Sequence, residues 1–331
     1  MIVNRRTLLG GLLAAGVVAP LAACGGKSSA SAGGGDSKAA KDITAGFVAV
    51  GPEGGFRTAN ENDIRDAFKK AGITLKYSPT SNGYQQPQLT AFSSFVDAEV
   101  DVILLSATED TGWDKVLKEA KDAEIPVITL DRDIKTSDAS LVACHIGPDN
   151  VWCGKAAADY VIKNRASGGN AIVLEGPAGL SVVNDRNEGW NNQIKSWKGK
   201  VLEHQSAQWS TEQGKTVTQG LLDKYHNKID VIFAQNDEMG LGAAQAVASK
   251  GLTTGPKGVE IITIDGTKPA LQACIDGKLS YVIEYNPIFG AQAVDAAKKL
   301  VNGQKVEKDI VIANKTFTAE EAKKVIASRP Y

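Results

Sequence analysis

Short apolar runs alternate with longer amphipathic segments along most of the chain. From residue 43 onwards the apolar runs are rich in β-branched residues and recur about every 25 to 30 residues. Because they are continuously apolar, they are typical of parallel strands that helices cover on both faces. Strands are predicted at residues 43–50, 74–77, 102–105, 127–130, 141–146, 171–174, 201–205, 231–233, 261–264 and 281–283. Helices are predicted between them, among others at residues 60–70, 111–123, 150–163, 239–250 and 291–301.

The number of predicted strands indicates two sheets. A typical sheet has about four to six strands, so the ten predicted here favour an α/β protein with two lobes of about five strands each. No repeat is visible at the level of residues, and the two halves are therefore not sequence copies of each other.

The first 23 residues have the pattern of an export signal. A basic start with Arg5 and Arg6 precedes an apolar run that is too short for a comfortable membrane span. The run ends in LAAC at residues 21–24, which resembles the bacterial lipobox, so we expect lipid attachment at Cys24. The alternative is a cysteine buried at the end of an apolar helix. Two arginines are common in any basic start, so the general secretory and twin-arginine routes both stay open.

Residues 24–41 have the composition of a tether. After the cysteine, no apolar side chain in this segment is larger than alanine, so the segment cannot bury enough surface to fold. A flexible chain of this length spans roughly 20 to 25 Å. We therefore expect an acyl anchor, a flexible tether and then a globular body.

Composition and charge narrow the classes of function. The 331 residues are 43% hydrophobic, which is enough for real cores and excludes a disordered chain. Lys and Arg total 37 against 38 for Asp and Glu, so no basic excess favours a nucleic acid partner. Four cysteines and three histidines stand without C-x-x-C pairs or metal-ligand spacing, so neither a structural zinc site nor a disulfide framework is expected.

Two of the cysteines leave one alternative open. Cys144 and Cys153 flank the end of a predicted strand and the start of a predicted helix, which allows a disulfide in an oxidising compartment. The other interpretation is two buried free thiols. Cys274 is expected to be a lone thiol packed in a helix.

Polar side chains follow several of the predicted strands, and ligands of open parallel sheets bind outside the carboxyl ends of strands. These strand ends carry GPEGGFR at 51–57, DRD at 131–133, QND at 235–237, DG at 265–266, and Glu284. Each Asp or Asn could simply cap a helix. Five polar strand ends in two lobes favour a shared polar cleft instead. Phe56, Trp190 and Trp209 lie near the same ends and could stack on a ligand, although packing explains any single one.

Several longer segments carry a family resemblance. They are GPEGGFR, TGWDKVLKEAKDAEIPVITLDR, PDN at 148–150, NDRNEGW at 184–190, FAQNDEMGLGA and TIDGTKPALQACIDGKL. With them the chain, from residue 43 to its end, resembles the periplasmic sugar-binding proteins of ABC importers, of the ribose-binding type, and is most similar to the galactofuranose-binding type. Phe56 stands where that type often has tryptophan, and Trp209 stands where phenylalanine is usual.

The resemblance implies a periplasmic binding protein of type I, with two Rossmann-like lobes of mostly parallel sheets joined by a three-strand hinge. The crossings between lobes are placed at 144–149, 284–287 and 309–311. The implied N-terminal lobe comprises residues 42–147 plus 285–309, and the C-terminal lobe comprises residues 148–284 plus 310–331.

The resemblance also implies a set of ligand-binding residues, all but one of which also follow from the polar and aromatic groups near the strand ends. Arg186 is known from the resemblance alone. The first lobe contributes Glu53, Phe56, Arg57, Asp131 and Arg132, and the second lobe or its hinge edge contributes Arg186, Trp209, Asn236, Asp265 and Glu284. No cofactor and no metal are expected.

Paired carboxylates and guanidinium groups suit the adjacent hydroxyls of a sugar, and aromatic planes suit its C–H faces. Four carboxylates against three arginines leave no cationic surplus for a sugar phosphate. We therefore expect a neutral monosaccharide, a furanose such as galactofuranose first, with ribose, arabinose or fructose as alternatives. The implied partners are an ABC permease and its ATPase, and the protein is expected to be a monomer anchored at the outer face of the cytoplasmic membrane.

Two other classes of function remain as alternatives. Asp131 and Glu284 could serve as the carboxylate pair of a glycosidase, although nucleotide-binding and nucleophile-elbow motifs are absent and His145, His204 and His226 are scattered. A sugar sensor without a transport role has the same architecture. The lipobox start and the lack of a helix-turn-helix segment argue against a transcription regulator.

Overall fold

The computed structural model describes residues 38–80 and 84–331. The predicted export signal at 1–23, the lipidation site Cys24 and most of the predicted tether lie outside the described residues. The last four residues of that tether belong to the folded body. The amide of Lys38 donates to Asn302 Oδ1 at 2.6 Å, its ammonium pairs with Asp101 Oδ1 at 2.5 Å, and a short 3-10 helix spans Ala40–Asp42.

The ten predicted strands are present, each within a few residues of its expected bounds. The strands are β1 Thr44–Ala49, β2 Thr74–Pro79, β3 Val102–Leu105, β4 Val127–Leu130, β5 Cys144–Pro148, β6 Asn170–Glu175, β7 Lys200–Ser206, β8 Val231–Ala234, β9 Glu260–Asp265, β10 Tyr281–Glu284, β11 Asp309–Ile312 and β12 Thr316–Phe317. The helices are α1 Gly55–Ala71, α2 Gln85–Asp97, α3 Asp114–Asp122, α4 Asn150–Asn164, α5 Ser181–Ile194, α6 Thr211–Lys224, α7 Asp237–Ser249, α8 Lys268–Ile275, α9 Gly290–Val301 and α10 Ala319–Val325.

The described residues form two six-stranded sheets. The first has the order β11-β5-β4-β3-β1-β2 with parallel pairing throughout. The second has the order β12-β10-β9-β8-β6-β7 and is parallel except for β12, which runs antiparallel to β10. Central strands such as β3, β4, β8 and β9 are buried along their whole length, because helices cover both faces. The expected α/β class with mostly parallel sheets is confirmed.

The chain passes between the two sheets three times. It crosses after β5, again between β10 and α9, and a third time between β11 and β12. The third crossing comes later than expected, because residues 309–312 form β11 on the first sheet and not the crossing itself. The crossing segments also bond to each other, since Asn314 Oδ1 accepts from the Asn286 amide at 3.2 Å.

The three described cysteines are buried free thiols. Cys144 lies in a core of the first lobe and Cys153 in a core of the second, so the disulfide alternative does not apply. Cys274 is buried in α8, as expected. Burial raises the pKa of Cys144 and Cys274 to about 11 and that of Cys153 to about 12, which makes these thiols unreactive at neutral pH. Within the described ranges no helix is long and apolar enough to cross a membrane.

Candidate functional site

A pocket lies between the two lobes, where the carboxyl ends of β1, β4 and β9 meet. Its empty volume is about 400 Å³, including the open solvent at its mouth. Most of the residues predicted from the sequence line this pocket: Glu53, Phe56, Arg57, Asp131, Arg132, Arg186, Trp209, Asn236 and Asp265. The structure thus brings together side chains that are more than 200 positions apart in sequence.

The first lobe supplies a chain of alternating charges. The guanidinium of Arg57 pairs with the carboxylate of Asp131, and that of Arg132 pairs with Glu53, whose Oε2 is also 3.8 Å from Arg57 Nε. Burial alone would raise the pKa of Asp131, but Arg57 and Arg132 outweigh it and lower that pKa. Asp131 is therefore ionised at neutral pH.

Arg57 has N–H donors that are available for a ligand. Its side chain is 3% exposed, and its Nε and Nη1 atoms have no hydrogen-bond partner among the described residues. Burial alone would lower the pKa of this group, but Asp131, Glu53 and Glu61 raise it, so it remains a cation. A buried donor without a partner is costly, and an acceptor oxygen of a ligand would satisfy it.

Arg186 holds the corresponding position in the second lobe. Its Nε donates to Asn150 Oδ1 at 3.0 Å, and its Nη1 donates to the carbonyl of Gln235. The guanidinium carbon lies 4.7 Å from the ring centre of Tyr285 and 5.6 Å from that of Trp209. Cation–π contacts at these distances fix the guanidinium plane at the pocket wall.

Aromatic rings form the apolar walls. Phe56 comes from the first lobe but packs in a core of the second, with its ring centre 4.9 Å from that of Tyr285. Trp209 follows β7 with a φ of 57°, and its indole nitrogen has no partner in the described part of the chain. Trp190 is fully buried and stacks on Phe233, so for this residue the packing interpretation is correct.

Asn236 both caps a helix and faces the pocket. Its Oδ1 accepts from the Met239 amide at 2.9 Å, which makes it the N-cap of α7. Its Nδ2 donates to Glu238 Oε2 at 2.8 Å and to the Trp209 carbonyl at 3.3 Å. Asn236 therefore both caps α7 and lines the pocket.

Asp265 is the last residue of β9. Its φ of 129° lies in a backbone region that residues other than glycine rarely adopt. Burial is the largest cause that raises its pKa well above the usual range, and neighbouring Asp237 adds to it while Arg186 opposes. A strained, buried carboxyl beside a cation is typical of a functional site.

Glu284 does not line the pocket. Its carboxylate pairs with Arg329, on the far side of the strand end. The next residue, Tyr285, lines the pocket in its place, and its hydroxyl donates to Asp131 Oδ1 at 2.9 Å and accepts from Asn150 Nδ2 at 3.0 Å. Glu284 stays outside the pocket because successive side chains at a strand end point to opposite faces.

Four further pocket residues were not in the predicted set: Gly54, Gly55, Val182 and Glu238. Glu238 reaches across the cleft, since its Oε1 accepts from the Gly55 amide at 2.9 Å. Gly54 has a φ of 125°, a backbone conformation that residues with a side chain rarely adopt, so glycine is favoured next to this contact. Position 238 follows a polar strand end, which was the signal available in the sequence.

The lobes touch around the pocket. Besides the contact of Gly55 with Glu238, Ser181 Oγ donates to the carbonyl of Asp133 at 3.2 Å. The cleft is therefore closed in this structure. Across residues 38–80 and 84–331, no group of three or more His, Cys, Asp or Glu side chains is placed to hold a metal ion.

Comparisons with known proteins agree with this architecture. A model of the periplasmic binding protein domain matches residues 45–305. The fructose import binding protein FruE of Bifidobacterium longum is 57% identical over 318 residues, which are 95% of this chain and 94% of that protein. The galactofuranose-binding protein YtfQ of Escherichia coli is 37% identical over 264 residues, 78% of this chain and 82% of that protein.

A solved structure shares the fold closely. A protein from Mycobacterium smegmatis in complex with β-D-fucofuranose has a TM-score of 0.82 and 37% identity, over 86% of this chain and 94% of that one. The fold described above is thus shared with that structure over most of both chains.

Proposed function

We propose that this chain, which belongs to the family of periplasmic binding proteins, captures a neutral monosaccharide between its lobes and delivers it to an ABC importer. One observation carries the proposal: three guanidinium groups, two of them paired with carboxylates, meet in a closed cleft between aromatic side chains. Such a site offers donors and acceptors for adjacent hydroxyls and apolar planes for the C–H faces of a sugar ring.

The charge pairing in the pocket supports a neutral ligand. Arg57 pairs with Asp131 and Arg132 pairs with Glu53, while the Arg186 guanidinium donates to Asn150 Oδ1 and to the carbonyl of Gln235 and is the one of the three without a carboxylate partner among the described residues. A phosphate would need unpaired cations or a helix N-terminus, and Glu238 lies in the first turn of α7, where a phosphate would otherwise be favoured. Polyol hydroxyls suit this arrangement better than an anion.

For the identity of the sugar we favour fructose in its five-membered ring form. The sequence motifs favoured galactofuranose, but the relative that is 57% identical over nearly the whole chain is named for fructose import. A relative named for galactofuranose and a solved structure with fucofuranose support a furanose ring. Galactofuranose becomes the second candidate, and ribose and arabinose follow.

In this proposal each wall has a role. Asp131 accepts from two neighbouring hydroxyls, and the free Nε and Nη1 of Arg57 donate to a sugar oxygen. Arg186 and Asp265 bind the opposite edge of the sugar from the second lobe, and Asn236 and Glu53 bind its sides.

The aromatic residues have a separate role. Phe56 and Trp209 cover the apolar faces of the sugar ring, and the Tyr285 hydroxyl orients Asp131.

The relatives are sugar-binding transport proteins, and the chain is accordingly a binding protein and not an enzyme. The position of Glu284, outside the pocket, also weakens the glycosidase alternative. Binding proteins of ABC importers act outside the cytoplasm, and so does this one. That it is a monomer held to the membrane through a lipid on Cys24 remains our proposal, supported by the LAAC pattern alone.

The test is calorimetric titration of the full chain with fructose, galactofuranose, ribose, arabinose and fructose 6-phosphate. We expect fructose to bind most tightly, the other neutral sugars to bind more weakly and the phosphate to give no heat of binding. A preference for galactofuranose would correct the sugar but keep the function. Binding of the phosphorylated sugar, or of none of the neutral ones, would overturn the proposal.

A further inference from the structure

Arg329 and Tyr331, near the end of the described chain, pack against the strand ends behind the pocket. Arg329 pairs with Glu284 through Nη1, and its Nε donates to the carbonyl of Gly266 at 2.7 Å. Its side chain is 9% exposed although it lies in an irregular segment. The guanidinium carbon is 4.2 Å from the ring centre of Tyr331 and 5.4 Å from that of Phe317.

These contacts surround one turn, Asp265–Gly266. The carbonyl of Asp265 accepts from the Tyr285 amide at 3.2 Å and from the Tyr331 hydroxyl at 3.4 Å. The carbonyl of Gly266 is held by Arg329, and a Cβ at Gly266 would lie 2.6 Å from Arg329 Nη2. Both carbonyls of the turn are therefore fixed from the side opposite the pocket.

The turn is strained. Asp265 has a φ of 129° and Gly266 a φ of 83°. A non-glycine residue keeps such a conformation only where its surroundings hold it there. Arg329 and Tyr331 supply that restraint, because they bond to the two carbonyls that would move if the turn relaxed.

Arg329 also reaches the hinge. Glu284, its ion-pair partner, is the last residue of β10 and lies opposite Asp265 in the strand register. The chain crosses between the lobes directly after Glu284, and Tyr285, the first residue of that crossing, bonds to Asp131. One guanidinium thus ties the strained turn to the segment that moves when a cleft of this kind opens.

We infer that Arg329 is a positioning residue of the sugar site: it holds the turn at Asp265 and the start of the second crossing in the geometry that binds the ligand. The inference rests on the proposed function for its effect on affinity. The restraint of the turn itself does not depend on which ligand binds. A side chain that supports an anchor from behind changes affinity without touching the ligand.

The chain offers a matched control, an arginine that contacts the other end of β9. At the amino end of β9, Arg165 Nε pairs with Glu260 Oε1 at 2.8 Å, and its Nη2 bonds to the carbonyl of Gly258. It is a largely buried arginine with the same kind of partners, but at the strand end away from the pocket. Arg165→Met should lower the melting temperature without changing sugar affinity.

The experiment compares Arg329→Met, Arg329→Lys and Arg165→Met in the full chain. Without ligand, we expect amide hydrogen exchange at residues 265–268 and 285 to rise about tenfold in Arg329→Met and to stay unchanged in Arg165→Met. With sugar, Arg329→Met should bind about 10-fold more weakly, and Arg329→Lys, which keeps the charge but loses the fork, should lie between that variant and the parent.

A double-mutant cycle tests whether the effect passes through Asp265. The loss of affinity in Asp265→Asn with Arg329→Met should be smaller than the sum of the two single losses. If amide hydrogen exchange in Arg329→Met equals that of the parent, the inference is overturned, whether or not a sugar binds. If a sugar binds and folded Arg329→Met has the affinity of the parent, the inference is also overturned. Failure of the parent to bind any sugar would overturn the proposed function, and exchange would still decide the role of Arg329.

Discussion

At the scale of single residues, the pocket is defined by charges that pair with each other within the protein. Arg57 and Asp131 are both nearly inaccessible to water, and each would be costly to bury alone. Pairing neutralises them, while Arg57 Nε and Nη1 stay free for a sugar oxygen. The same pair therefore stabilises the lobe and recognises the ligand.

Replacing Asp131 tests this double role. Asp131→Asn removes the counter-charge of Arg57 and turns one of the two acceptor oxygens into an NH2 donor, so the side chain no longer accepts from both Arg57 and the Tyr285 hydroxyl. A lost hydrogen bond to a charged group costs about 1.5 to 3 kcal/mol, so sugar affinity should fall roughly 10- to 150-fold in calorimetry. The melting temperature without ligand should also fall, because Arg57 is left buried beside a neutral amide.

Asp133→Asn is the control for that variant. Asp133 lies two positions further along the same loop, is exposed and does not line the pocket. Its affinity for the sugar should equal that of the parent. A parent-like affinity in Asp131→Asn itself would show that this carboxylate does not anchor the ligand.

The sequence could predict those site residues that closely follow a buried strand. Polar groups directly after buried strands, such as Asp131 and Asn236, follow from the apolar pattern that precedes them. The choice between Glu284 and Tyr285 depends on which face each side chain takes, and a shift of one residue reverses it. Arg329 gives no local signal, because its place behind the pocket results only from the folding of distant segments.

At the scale of secondary-structure elements, continuous apolar runs predicted the buried strands. The two strands that were missed, β11 and β12, are a half-exposed edge strand and a pair of residues. β11 contains only the short apolar run 310–312, most of which the resemblance assigned to a crossing, and β12 is too short to give a pattern. The third crossing was misplaced because residues 309–311 were assigned to it and not to the edge strand β11.

Asp237, in the first turn of α7, connects that helix to the end of β9. It accepts from Thr263 Oγ1 at 2.6 Å and from the Thr267 amide at 2.7 Å. Burial raises the pKa of Asp237 to about 7, although these hydrogen bonds act against it. The carboxyl therefore takes up its proton in the folded state at a pH where the unfolded chain is ionised.

The sign of the pH effect follows from that shift. A carboxyl whose folded pKa is raised costs stability as pH rises from the unfolded value, near 4, towards the folded value, about 7. Asp237→Asn cannot ionise, so its melting temperature relative to the parent should increase steadily from pH 4 to pH 7. A difference that is constant over this range in thermal melts would contradict the assigned pKa shift.

At the scale of the whole molecule, the two lobes meet through contacts that the pocket itself organises. Glu238 of the second lobe accepts from the amide of Gly55 of the first, and the Tyr285 hydroxyl bonds to Asp131. Even at about 1.5 to 3 kcal/mol for each hydrogen bond to a charged group, two such bonds contribute little against the freedom gained when the lobes separate. Closure should therefore depend on the ligand that bridges them.

A bridging sugar makes the closed form the lower in free energy, because polar groups of both lobes are satisfied together only when the cleft is shut around it. Small-angle X-ray scattering of the full chain should accordingly give a smaller radius of gyration with saturating sugar than without it. Asp131→Asn, at the sugar concentration that half-saturates the parent, should stay close to the ligand-free value. If a sugar that binds by calorimetry left the radius of gyration unchanged, hinge closure would not be the response to binding, and the lobes would have to be rigid around a permanently formed site.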